Sequence, residues 1–357
     1  MAGLRDASST HFEADTRGLW VKVPLADFLK SQERKKPVTT IDIQHAPELI
    51  AHFSALFKKG ATIKKFSCCE LKGEEGADLL NNLRSCPLLK SLALRSISLE
   101  MASPLIALLK NTFASSLKIT HAFNNTLSMI EPGLMYGSPI RTLAVSYQDP
   151  RYQPAQRSPR AAMTPPTIPP LTLTRAQKSP RHASADVESN ALANILQSIY
   201  AIKLSHGKFR ADSFSPIAIA LKTTPSLTKL TLTHFNIDSR AAVLIGRSLK
   251  ENRSITHLDL SSTPIKECGQ IAFAHSLVWN DTLRYLNITG LALTQKSYDE
   301  FTTTFQYNYR LTEFKFIFYT PRYEKKPDHV YTLIERNAEN IIKRNAKLAH
   351  LLLEQLQ

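Results

Sequence analysis

Ten basic side chains, Lys64, Lys65, Lys90, Arg95, Lys118, Arg141, Lys203, Lys229, Arg284 and Lys315, each stand next to a regularly spaced apolar residue. Their chemistry is charge pairing with carboxylates or phosphates, not the making of bonds. Only three acids, Glu70, Asp259 and Glu313, hold comparable positions. Four histidines, His121, His206, His234 and His257, run beside them and gain charge below about pH 6.5. Tyr147, Tyr200, Tyr285 and Phe318 add aromatic anchors, the side chains that dominate interface energetics.

Bond-making chemistry finds no comparable support. There is no P-loop, no G-x-S-x-G and no H-E-x-x-H. The four cysteines, Cys68, Cys69, Cys86 and Cys268, form no C-x-x-C and no Cys/His pair at zinc spacing. No enzyme activity, cofactor or metal is expected, and the thiols fit a reducing compartment. Cys68 and Cys69, as neighbours, are expected on opposite faces of a strand. Ser158, Thr164 and Ser179 each precede a proline and are candidate phosphorylation sites, where added negative charge would offset nearby Arg and Lys. The segment 166–170, PTIPP, has the composition of a polyproline II ligand.

The basic residues become a surface only if a scaffold aligns them. Leu227, Ile255, Leu283 and Leu311 are 28 residues apart, and so are Leu230, Leu258, Leu286 and Phe314. Leu232, Leu260, Ile288 and Phe316 keep the same interval. Each unit opens as L-x-x-L-x-L, a short strand with one apolar face. Pairs four apart follow, namely Ile217 and Leu221, Ile245 and Leu249, Phe273 and Leu277, Phe301 and Phe305. That spacing places them on one face of a helix. One strand and one helix cannot bury their apolar faces alone, whereas stacked copies bury a continuous core. The fold expected is α/β, a leucine-rich-repeat solenoid or horseshoe, with parallel strands on the concave face and helices on the convex face. Asn252, Asn280 and Asn308 recur in phase just past the helices and are expected to end them in the left-handed conformation.

The expected organisation is 1–37 as an N-terminal tail and cap, 38–147 as a first block of repeats, and 148–184 as an insert. A second block fills 185–319 and a C-terminal capping helix fills 320–357. Residues 1–18 are polar and expected to lack order, and Pro24 is placed to open a short helix over 20–28. The first block carries strand triplets centred on Ile41, Phe66, Leu92, Leu117 and Leu143, with a weak helix at Pro132, Gly133 and Gly137. The sixth strand, centred on Ile202, follows the fifth by 59 residues. The insert between them holds eight prolines, six Lys or Arg residues and the single acid Asp149, too polar to bury a core. In the last segment Asp328 is placed to cap a helix with Val330, Ile334, Ile341, Leu348 and Leu352 on one stripe.

The 28-residue units resemble the ribonuclease-inhibitor-like leucine-rich-repeat family, in which each strand is followed by a full helix. That family often carries Asn or Cys three residues after the third apolar position, where this chain has Phe235, Thr263 and Leu291. The ladder those residues build is therefore expected to be weak here. The degenerate repeats, the Lys- and Thr-rich surface and a C-terminus with Glu335, Glu339 and Glu354 resemble effectors of intracellular bacteria such as Legionella. That resemblance implies delivery by a type IV secretion system and action in a host cytosol; otherwise a cytoplasmic protein is expected. No secretory signal and no membrane span of about 18 apolar residues is expected. With a net charge of +15 and an isoelectric point near 9.6, the expected partner is a protein with an acidic surface, bound by a monomer. Nucleic acid or an anionic lipid is the alternative, without any RRM, KH, zinc-finger or helix-turn-helix pattern to support it. Regulation of a small GTPase is a further alternative, which in one related branch depends on a loop Arg. Here Arg240 and Arg253 are the arginines between elements.

Overall fold

The structure is a computed structural model that describes residues 10–14, 20–24, 40–43, 50–58, 63–135, 137–148, 180–209, 214–291, 293–315, 340, 343–345 and 347. Strands β1 (Thr10–Ala14) and β2 (Trp20–Pro24) pair antiparallel and lie beside the first repeat. The repeats follow as β3 (Thr40–Ile43), α1 (Ile50–Lys58), β4 (Lys65–Cys68), α2 (Gly73–Leu83), β5 (Ser91–Leu94), α3 (Ala102–Asn111), β6 (Ser116–Ala122), α4 (Thr126–Leu134) and β7 (Thr142–Tyr147). After the insert come α5 (Pro180–Ser198), β8 (Ala201–Ser205), β9 (Lys208–Phe209), α6 (Ser215–Thr223), β10 (Lys229–Thr233), β11 (Asn236–Ile237) and α7 (Ser239–Glu251). The series ends with β12 (His257–Asp259), α8 (Glu267–Trp279), β13 (Tyr285–Asn287), α9 (Gln295–Tyr307) and β14 (Glu313–Lys315).

Ten strands form one open sheet in chain order, β3-β4-β5-β6-β7-β8-β10-β12-β13-β14, and every pair is parallel. One register column runs through all of them: Ile41, Phe66, Leu92, Leu117, Leu143, Ile202, Leu230, Leu258, Leu286 and Phe314. All but Phe314 are buried. The fold is therefore the expected α/β solenoid. Each strand is about 4.8 Å from the next, while packed helices need 8–10 Å. That mismatch bends the stack so that the strands line its inner side. The insert leaves no trace in the sheet, since Leu143 pairs directly with Ile202.

Several local expectations are corrected. Trp20–Pro24 is a strand, not the start of a helix, and Thr10–Ala14 pairs with it instead of lacking order. Cys69 is buried like Cys68, because the strand ends at Cys68 and the chain turns inward. Both are free thiols, and burial pushes the Cys68 thiol well up. The weak fourth helix is short, as its sequence led one to expect, and continuous, with Pro132 in its last turn. The stripe from Val330 to Leu352 lies outside the described residues.

The recurrent asparagines do not adopt the left-handed conformation. Asn252, Asn280 and Asn308 are extended, with φ/ψ of −67/136, −84/118 and −86/115. They are buried, and each faces inward to do two jobs. The amide nitrogens donate at 2.6 Å to Leu221, Leu249 and Leu277 carbonyls of the preceding repeat. The amide oxygens accept from the backbone of the next strand's start, at Ile255, Leu283 and Leu311. Thr224 does the same with one hydroxyl, donating to Leu196 at 2.6 Å and accepting from Leu227. At the far end Asn345 donates to the Asn308 and Leu311 carbonyls, so the C-terminal segment continues the ladder. The ladder expected to be weak at Phe235, Thr263 and Leu291 is carried at this other corner. Of those three, Thr263 alone donates to a preceding repeat, to Leu232 at 2.7 Å.

Left-handed residues occur instead where strands turn toward helices. His121, His206, His234, Ser262 and Gly290 have φ of 59°, 60°, 51°, 56° and 85°. Histidine is among the few L-residues enriched there.

Replacing Asn280 by Leu strands the Leu249 carbonyl and two amides in a buried corner. Urea unfolding should show a loss of about 3 kcal/mol or more. Asn280→Thr, which copies the corner at Thr224, should cost about half as much. Equal losses in the two variants would mean that the corner bonds do not matter.

Candidate functional site

Outward residues of the strands fall into three columns. The first holds Lys64, Lys90, Ser115, Arg141, Tyr200, Thr228, Thr256, Arg284 and Thr312, each of whose amides after Lys64 donates to the carbonyl of the member before it. The second holds Thr40, Lys65, Ser91, Ser116, Thr142, Ala201, Lys229, His257, Tyr285 and Glu313. The third holds Asp42, Ser67, Ala93, Lys118, Ala144, Lys203, Thr231, Asp259, Asn287 and Lys315. Residues 25 to 59 apart in the chain thus become neighbours about 4.8 Å apart.

Nine of the ten basic residues are exposed, and Arg284 is half-buried. Arg95 lies just beyond the third column, past the last buried residue of β5. From β4 to β10 the three columns carry seven bases, Lys64, Lys65, Lys90, Lys118, Arg141, Lys203 and Lys229, and no carboxylate. Between them the surface is built of Ser, Ala and Thr with the single ring of Tyr200, which makes a shallow floor with cationic borders. Like charges arranged this way repel one another and gain from an anionic ligand.

Beyond β10 the character changes. Asp259 and Glu313 enter, and aromatic rings stack along the second column. The His257 and Tyr285 rings lie 5.6 Å apart, and Lys315 Nζ is 5.3 Å from the Tyr285 ring. Lys315 also pairs with Glu313 at 3.1 Å, a bond that raises its pKa. It is therefore already neutralised locally. Asp259 Oδ1 accepts from the Ser261 amide, and Asn287 does the same for Thr289. These two hold the turn after the strand. Burial, and then the Lys229 charge, hold the His257 pKa below its ordinary value. It stays neutral to lower pH than an unperturbed histidine. Asp42 sits in the third column beyond β4, an acid absent from the sequence-based set because the first repeat's pattern is faint. His206 and His234 stack with ring centres 5.0 Å apart, at the rim where the left-handed turns are. Their residue type answers a backbone requirement as well as any binding one.

Tyr147 is not an outward anchor. It has the parity of Leu143 and Val145 and is only 8% exposed. A register shift in β6 between Thr120 and Ala122 leaves it paired with Ala122. Its ring meets Phe235 edge-on, and Gly207 lies between: a Cβ on Gly207 would come within 2.2 Å of Phe235 and 3.0 Å of Tyr147. Its hydroxyl donates to buried Glu188 at 3.3 Å. Glu188 lies in α5, yet it accepts from the Leu127 and Ser128 amides at 2.8 and 2.9 Å. Those are the open amides of α4, whose own cap residue Asn125 makes no side-chain bond. The carboxylate therefore ties the chain after the insert to the strand and helix before it. Sequence alone gave no sign of this, because the partners are 41 and about 60 residues away. Tyr200 is 45% exposed in the first column, beside Arg141.

Arg240 belongs to α7 and not to a loop. Arg253 donates to the Lys250 and Asn252 carbonyls and faces Asp281 at 3.6 Å, so it braces a corner. Ser158, Thr164 and Ser179 lie outside the described residues. Among the described residues no group of three or more His, Cys, Asp or Glu could hold a metal ion, and no helix is long and apolar enough to cross a membrane.

No protein-family model and no curated protein matches the sequence. Solved structures are similar to part of it, two of them as follows. Leiomodin-1 actin-binding site 2 is 19% identical, covering 47% of this chain and 93% of its own, with a TM-score of 0.40. The tropomodulin C-terminal domain of Caenorhabditis elegans is 10% identical, covering 47% of this chain and 98% of its own, with a TM-score of 0.39.

Burial raises the Glu188 pKa above its ordinary value of 4.5, and its hydrogen bonds pull it back only in part. Between those values the folded chain binds more protons than the unfolded one, so stability falls as pH rises through the window. Glu188→Gln should flatten that part of the stability–pH curve in urea titrations. It should also cost roughly 1–2 kcal/mol at neutral pH, because the new NH2 meets an amide donor. A slope unchanged in the variant would assign the proton uptake elsewhere.

Proposed function

We propose that this chain is a non-catalytic protein-interaction module whose concave face grips an acidic surface on a protein partner. The observation that carries the reading is the block of seven bases from β4 to β10 with no carboxylate in the same columns. A floor of small side chains lets a broad surface approach, and the bases around it supply attraction and orientation. Tyr200, within this block, and Tyr285, two strands beyond its end on β13, serve as aromatic contacts. The block lies on strands, the most rigid part of a repeat, so binding needs little reordering.

On the resemblance to bacterial effectors, the partner is a host protein and the place of action is the host cytosol. A reporter fused to the chain should reach that cytosol from bacteria with a working type IV system and not from a secretion-deficient strain. Retention in both would remove this part of the reading.

The binding itself is tested with polyglutamate as an acidic polypeptide, against single-stranded DNA and anionic vesicles as rivals. Lys118→Glu, Lys203→Glu and Lys229→Glu together should weaken polyglutamate binding by roughly a hundredfold or more. Thermal unfolding should move by the equivalent of no more than about 0.5 kcal/mol per site. Stronger binding to DNA, with the steep salt dependence of phosphate contacts, would favour nucleic acid instead.

A further inference from the structure

The outer side of the solenoid carries a second surface with a different chemistry. Helices α7 and α8 run side by side, and a groove of about 510 Å³ lies between them on the side away from the sheet. Its floor is shallow-walled and small because Gly246 sits against the Ala272 backbone. A Cβ on Gly246 would stand 2.9 Å from that backbone, so only glycine permits the approach. The walls are apolar: Val243 on one side, Ile271 and Trp279 on the other.

Helix α8 carries apolar side chains on both of its faces. Phe273 and Leu277 bury its inner face, yet Val278 and Trp279 are exposed on the outer one. Where the two preceding repeats place Thr223 and Glu251, this repeat places Trp279 and the next places Tyr307, each 64% exposed. A helix that is apolar on both sides normally has both sides covered.

The charges around the groove say what covers it. The nearby acids are matched: Glu251 pairs with Lys222 at 2.7 Å and Asp281 with Arg253 at 3.6 Å, while Glu300 is held at 2.9 Å by His275, which lines the groove. No carboxylate lines the groove. Arg247 and Lys250 stand at its edge, and no ion pair involves them among the described residues; Lys250 Nζ lies 5.0 Å over the Trp279 ring. An apolar trough with a cationic edge fits a helix or strand whose large apolar side chains are flanked by Asp or Glu. A second copy of this chain fits poorly, because its net charge of +15 repels itself.

We infer that the α7–α8 groove is a second docking site, taking an acidic amphipathic segment of another protein, independent of the concave face. The test is selection of a random-peptide library on the full chain. Enriched peptides should combine carboxylates with aromatic or long aliphatic residues. Trp279→Ala should weaken them by roughly tenfold or more, and Arg247→Glu with Lys250→Glu should abolish binding. The concave triple variant should bind them as the parent chain does. Cys268 lines the groove and is exposed, while Cys68, Cys69 and Cys86 are buried. Bound peptide should therefore slow its alkylation. The inference is overturned if no peptide enriches, if the enriched peptides lack carboxylates, or if they ignore Trp279→Ala. It is equally overturned if that substitution instead abolishes self-association or capture of anionic vesicles. Because these peptides are read against the concave variant, either site can fail without the other.

Discussion

A buried carbonyl at each helix-to-strand corner from α5 to α8 is the constraint on which this solenoid rests. The carbonyls of Leu196, Leu221, Leu249 and Leu277 point at the next repeat, where among the described residues no backbone amide reaches them. A buried carbonyl without a donor costs about 1–3 kcal/mol. Thr224, Asn252, Asn280 and Asn308 each supply that donor and, with the same side chain, hold the opening amides of their own strand. Hydrophobic burial drives the repeats together without direction. The corner bonds supply the direction, and with it the register that puts Leu230 beside Leu258 and Leu286.

From that register the surface follows. A shift of one residue would turn every outward side chain to the core. Held in register, seven cations gather on one block while acids and rings gather at the other end. Part of this arrangement serves the fold itself. Asp259 and Asn287 hold turns, and the rim histidines satisfy a left-handed backbone. The cations of β4 to β10 have no such structural duty, and their mutual repulsion is tolerated. The proposed binding role of the block rests on that contrast more than on the net charge.

The long insert shows how a repeat stack absorbs extra chain. Closing a longer loop adds little entropy cost, so the real demand is to secure the two ends. Tyr147 at one end and Glu188 at the other meet in a buried contact, and Glu188 also caps α4. The bonds to three groups keep the carboxylate partly favourable despite its burial. Gly207 and Phe235 close over the same point, which accounts for an aromatic ring where related repeats carry Asn or Cys.

The apolar period was legible from sequence alone because it repeats a local rule. Residues 25 to 28 apart and four apart named the ten strands of the large sheet with their centres, the helices between them and the return of the chain after the insert, but not the β1–β2 pair. The basic stripe was legible for the same reason, since strand parity says which neighbours of Leu230 or Ile202 face outward. What failed were readings that depend on distant partners. Asn280 does end α8, but it reads as a left-handed stop until a carbonyl 31 residues earlier is seen beside it. Tyr147 reads as an anchor until Glu188 and Phe235 surround it. The α7–α8 groove needs Gly246 and Ala272 brought into contact before Trp279 has a place. Periodicity is written along the chain, whereas hydrogen-bond partners and grooves arise only when separate repeats meet in space.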